Sequence, residues 1–127
     1  GLSFRRLHDE AGDTGCFLIL LLETPSAAQQ AVERAKARGL ASACRLADYG
    51  LHIYSNIPQL VNHVPLSPAG NPWNLPQNQD LVRDYGRGAC PQSDAWFARS
   101  ILIPIPSCLT REQEKQAARI LHEAVTG

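Results

Sequence analysis

The side chains able to carry chemistry in this 127-residue chain are four histidines, four cysteines and two lysines. The lysines are the most informative, because ten of the twelve basic residues are arginine. A nucleophilic lysine needs an apolar pocket or a cationic neighbour to lose its proton. Lys36 and Lys115 both fall among polar residues on helix-patterned segments, so neither reads as a Schiff-base lysine. Cys16, Cys44, Cys90 and Cys108 are widely spaced and form no C-x-x-C pair. Two of them lie in or beside apolar strand-like runs, where a free thiol behaves as a small hydrophobe, so reduced thiols and a cytoplasmic setting are expected. His8 lies near the N-terminus and His122 off the apolar stripe of the last helix, while His52 and His63 flank a proline-rich stretch. A zinc site built from His52, His63 and a cysteine matches no usual ligand spacing. Whether a cysteine meets a histidine in space is a matter for the fold, but nothing around Cys90 or Cys108 points to such a pair. The glycine pairs Gly12/Gly15 and Gly86/Gly88 are too short for a phosphate cradle. No catalytic, cofactor-binding or metal-binding residue is therefore expected within the chain.

Charge and hydropathy narrow the classes further. Twelve basic and twelve acidic residues cancel, whereas a nucleic-acid module carries a basic excess or stripe. The apolar run Cys16–Leu22 is seven residues long, far short of a membrane span. A chain of this length buries about 65% of its unfolded surface, enough for one core without staples. Methionine is absent, which suggests a fragment or a processed product, with residues 1–6 as a lead-in from a preceding large domain and 7–127 as one small domain.

The elements that would hold the chemistry can be read in order. The run 16–22 follows the turn residues Gly12–Gly15 and has the length of a buried strand. Thr24 and Pro25 suit the cap and first position of a helix whose apolar face is Ala28, Val32 and Ala35 and whose stop is Gly39. Segments 40–47 and 51–55 are expected as short strands, the second more clearly. Residues 56–88, rich in Pro, Asn, Gln and Gly, are expected as a long loop with a helical turn near 80–85, and long loops inside compact domains usually carry function. Gln92–Arg99 reads as a short helix capped by Ser93 or Asp94. Ser100–Ile105 reads as a strand that Pro104 places at an edge or at its own end. Thr110 with Gln113 forms a capping box, and Ala117, Ile120, Leu121, Ala124 and Val125 make one stripe of a closing helix. Few strands, helices between them and no internal repeat lead to an expected α/β fold of the α+β type, a small sheet covered by helices.

The second half of this order carries a resemblance. Cys90-Pro91 leads a short helix ending at Ser100, followed by an apolar strand with Ile103-Pro104, a small-residue turn, and Leu109-Thr110 with Glu112, Gln113 and Glu114 close behind. Upstream, Arg38-Gly39-Leu40 ends a helix, and Tyr54, Ile57 and Pro58 follow in a Tyr-x-x-Ile-Pro loop. Over about residues 7 to 125 this resembles the C-terminal small domain of DegT/StrS-type, fold type I sugar or cyclitol aminotransferases. One departure is that family members often carry histidine soon after that loop proline, where Gln59-Leu60 stands here. The stretch Gly70–Asn74 also looks specific to a subgroup.

The resemblance implies that pyridoxal phosphate and its lysine belong to the missing N-terminal large domain, and that this chain alone is inactive. It implies a small, mainly antiparallel sheet covered by helices, a keto-sugar or cyclitol ketone as substrate, an amino-acid donor and a homodimeric parent. That no nucleic-acid or membrane partner is expected follows from the balanced charge and the short apolar run. By position in the family's loop, Tyr54, Asn56 and Trp73 are the substrate-pocket candidates; their other reading is packing for Tyr54 and Trp73 and turn-capping for Asn56. A different class, a stand-alone small-molecule-binding or regulatory α/β module, predicts saturable binding without pyridoxal phosphate.

Overall fold

The computed structural model describes residues 3–81 and 83–127. They divide into two compact units: the chain up to Asp48 with Ala95–Gly127, and Tyr49–Asp94.

The first unit is a small α+β domain built on a four-stranded antiparallel sheet. Its strands are β1 (Ser3–Phe4), β2 (Phe17–Leu21), β3 (Cys44–Arg45) and β4 (Ser100–Pro104), in the order β1-β2-β4-β3. The longest pairing sets Phe17 opposite Pro104 and Leu21 opposite Ser100. β4 is thus an interior strand, and Pro104 stands at its end, where a missing N–H costs no ladder bond. The lead-in is ordered at Ser3–Phe4 as an edge strand, Ser3 facing Leu21 and Phe4 facing Leu20. Its run is too short for a periodic signal.

Two helices cover one face of this sheet. Helix α1 (Pro25–Ala37) starts as its sequence demands, with Thr24 Oγ1 accepting from the Ala27 N–H at 3.1 Å and Pro25 in the first turn. It stops at Gly39, which adopts φ 104°. There the Leu40 N–H donates to the Ala35 carbonyl at 2.9 Å, a closure open to glycine and costly for residues with a Cβ. Ala28, Ala31, Val32 and Ala35 are buried against Leu20, Ile101 and Ile103. The closing helix, α4 (Arg111–Thr126), has the expected capping box, Thr110 and Gln113 exchanging bonds of 3.3 and 2.8 Å. It buries Ile120, Leu121 and Ala124 in the same core. The alanine-rich face of α1 lets α4 approach closely: Arg34 Nε donates to the Ala124 carbonyl at 2.7 Å, and Arg38 lies 3.4 Å from Glu123.

The two strands expected in the middle fare differently. Of residues 40–47 only Cys44–Arg45 pair with β4, opposite Leu102 and Ile101. Residues 51–55 form no strand; two 3-10 turns, Gly50–His52 and Tyr54–Asn56, stand there. Gly50 takes φ 51°, which breaks extended geometry at the outset. The apparent alternation also fails, because Ile53 is buried while Leu51 is exposed. The second unit continues with the short helix α2 (Pro58–Val61) and 3-10 turns at Pro72–Asn74 and Pro76–Leu81, so the helical content of the long loop begins earlier than residue 80. Helix α3 (Pro91–Ala98) opens at Pro91, with the Asp94 N–H donating to the Cys90 carbonyl at 2.9 Å. Neither Ser93 nor Asp94 caps it, since proline already suits the first position and Asp94 is engaged elsewhere.

Candidate functional site

Tyr54 and Asn56 sit on one 3-10 turn, which Asn56 stabilises by donating from Nδ2 to the Gly50 carbonyl at 3.1 Å. The Tyr54 hydroxyl lies 2.8 Å from both Asp94 carboxylate oxygens, to which it donates, and accepts from the Cys90 N–H at 3.1 Å. Asp94 also accepts from the Gly88 N–H at 2.7 Å. Gly88 can present that N–H because it adopts φ 106°. Burial pushes the Tyr54 phenol above its ordinary range, opposed by the Cys90 N–H and reinforced by the adjoining Asp94 carboxylate, which keeps the proton on its oxygen. This triangle of Tyr54, Asp94 and the 88–90 backbone is a clasp. Asp94 receives bonds on both oxygens, so it is a positioning group rather than a free base.

Trp73 stands in a second cluster of the same unit. His63 stacks on its ring at 4.9 Å, Tyr85 lies 5.6 Å from it, and His63 meets Tyr85 edge-on at 6.0 Å. His63 Nε2 is 3.1 Å from the Arg83 carbonyl, which puts the donating N–H on that nitrogen. His63 also holds φ 52°, an uncommon conformation for a residue with a Cβ. Asn71 caps the turn by accepting from the Trp73 N–H at 3.0 Å, and Gln79 donates to the Trp73 carbonyl at 2.9 Å. Pro72, Trp73, Asn78, Leu81 and Tyr85 line a cleft of about 200 Å³.

Of the three residues nominated from the sequence, Tyr54 and Asn56 therefore share one turn, and Trp73 belongs to the aromatic cluster. Asp94 and His63, which hold them, were not nominated. Asp94 is 40 residues from Tyr54, and no local spacing links the two. The other histidines stand apart: His52 stacks on Tyr49 at 4.6 Å, while His8 and His122 are exposed. Among the described residues no group of three His, Cys, Asp or Glu side chains is arranged to hold a metal ion. The four cysteines are free thiols, with Cys44 half-buried and its thiol pushed up by that burial. No helix of the described residues is long and apolar enough to cross a membrane.

A third feature belongs to the first unit. Phe4, Leu7, Phe17, Leu18, Ile19 and Ile105 wall a cleft of about 330 Å³ that Arg5, Asp13 and Gly15 complete. Arg5 pairs with Asp13 at 2.8 Å, and Asp13 accepts from the Gly15 N–H at 2.7 Å.

No protein-family model matches the chain, and no curated protein matches it.

Proposed function

We propose that the chain is the C-terminal small domain of a pyridoxal-phosphate aminotransferase of the DegT/StrS type, acting on a keto-sugar or cyclitol ketone. The observation that supports this is the succession of α3, β4 and α4 in the order of the motif behind the resemblance, with β4 inside the sheet and the capping box of α4 formed. The residues of this chain do not fit pyridoxal phosphate. Lys36 and Lys115 are both exposed, on α1 and α4, and no glycine-rich cradle accompanies them. The cofactor would belong to a large domain outside this chain.

In that setting the second unit supplies the border of the substrate pocket. Trp73 offers an aromatic face and the Tyr54–Asp94 clasp fixes the loop that carries Asn56. The parent homodimer, the ketone and the amino-acid donor form one proposal with this reading. The test is to detect the native gene product with an antibody to this domain. A polypeptide several times larger than 13.9 kDa, with a lysine-linked cofactor trapped by borohydride, is the expected result. A native product of this chain's own size, or a parent that traps no cofactor, overturns it.

One observation favours a second reading, a stand-alone small-molecule-binding or regulatory module. The cleft beside β1 and β2 joins apolar walls to a paired cation and anion. That combination resembles a built ligand site more than a packing defect.

A further inference from the structure

The cleft beside β1 and β2 takes no part in the aminotransferase reading and is complete within the first unit. Its walls are hydrocarbon and aromatic, and Phe4, Leu7 and Phe17 remain exposed on it. At about 330 Å³ it lies at the small end of ligand pockets, room for one side chain rather than a long chain. Arg5 and Asp13 both line it, joined through their side-chain ion pair. Arg5 gives one N–H to Asp13 and keeps others of its five for a ligand. The Asp13 oxygens accept one bond each, from Arg5 and from the Gly15 N–H, and a carboxylate oxygen can accept two. Those bonds from Gly15 and Arg5 hold the Asp13 carboxyl below its ordinary range, so it is an anion at neutral pH.

Adjacent opposite charges decide between ligands. A bare carboxylate drawn to Arg5 meets the repulsion of Asp13, and a bare amine drawn to Asp13 meets that of Arg5. A molecule carrying both groups on one carbon satisfies both charges. We infer that this cleft binds a free α-amino acid with an apolar side chain, its carboxylate on Arg5, its ammonium on Asp13 and its side chain between Phe4, Leu7 and Phe17. The inference is independent of the aminotransferase proposal, since the site needs neither pyridoxal phosphate nor a large domain.

The test titrates the 127-residue chain with L-phenylalanine, following backbone amide shifts of Arg5, Gly15 and Ile19 by NMR. Saturable shifts at these residues are expected. 3-Phenylpropionate, which lacks the ammonium, and phenethylamine, which lacks the carboxylate, should each bind about tenfold more weakly, as should L-phenylalanine to Asp13→Asn or Arg5→Gln. The Arg5 side chain is partly exposed and the ladder bond of Arg5 to the Ile19 carbonyl comes from its backbone N–H, so Arg5→Gln keeps the comparison sound if Asp13→Asn disturbs the Gly15 turn. Circular dichroism checks each variant's fold. The inference is overturned by the absence of saturable shifts, by equal binding of 3-phenylpropionate, or by unchanged binding in folded Arg5→Gln.

Discussion

Replacing Ile101 with alanine should remove a large part of the stability of the sheet-and-helix unit. Ile101 is 1% exposed and lies on the interior strand, opposite Leu20 on one side and Arg45 on the other. Alanine deletes three carbons, which at ~0.8 kcal/mol each is about 2.4 kcal/mol of transfer energy. A cavity term adds to this, because the site has little means of collapsing. β4 is pinned by hydrogen bonds on both edges, and Ala28, Ala31, Ala35 and Ala124 in the same core have no side chain to swing inward. A cavity contribution of about 1 kcal/mol or more brings the loss to about 3–4 kcal/mol, within the range found for such truncations. For a chain of this size that corresponds to a fall in Tm of roughly 12–16 °C. Urea titration followed by far-UV circular dichroism measures it, with Leu66→Ala as the reference. Leu66 is 89% exposed, so its truncation should stay within about 0.5 kcal/mol of wild type. If the two variants had equal midpoints, Ile101 would not sit in a close-packed core and the reasoning would fail.

Other outcomes follow from single contacts. Thr110→Ala breaks the capping box of α4 and should cost about 1 kcal/mol, read as a shift in urea midpoint; Gln113→Ala should cost less, since it leaves the threonine cap in place. Because the Tyr54 pKa is raised in the fold, its stabilising contribution is whole below the unfolded tyrosine range. It is lost as pH rises through the folded value. Ultraviolet titration should then show a late tyrosine step, and Tyr54→Phe should abolish it. Asp13 is the opposite case: its pKa is lowered, so its contribution is present above the unfolded aspartate range and fades as pH falls through the folded value. Asp13→Asn should therefore flatten the acid limb of the stability profile; an unchanged limb would contradict the Arg5 and Gly15 contacts. Thiol labelling should find Cys44 slower than Cys16, Cys90 and Cys108, because those three are exposed while Cys44 is half-buried and its pKa is raised.

Which parts of this molecule were legible in the sequence follows from the range of the forces involved. The start and the apolar stripe of α4 and the start of α1 were legible because capping and the 3.6-residue stripe are set by neighbours a few residues apart. Thr110 with Gln113, Thr24 with Pro25, and Ile120 with Leu121 and Ala124 carry their own instructions. The run 16–22 likewise declared a strand by its unbroken apolar character, and a small sheet covered by helices followed from the order of elements, its antiparallel sense being an expectation of the resemblance. Residues 51–55 misled for the same reason. Leu51 and Ile53 alternate like strand residues, but a strand needs a partner, and Gly50 with its positive φ turns the chain instead.

Only the tertiary structure decided that β4 lies inside the sheet rather than at its edge, that Ser3–Phe4 form a strand at all, and that Tyr54 is clasped by Asp94. It also decided that Arg5 and Asp13 meet beside an apolar cleft. Each of these joins residues that are distant in sequence or that have no periodic signature. Loop closure and sheet register, which no local propensity encodes, bring such groups together.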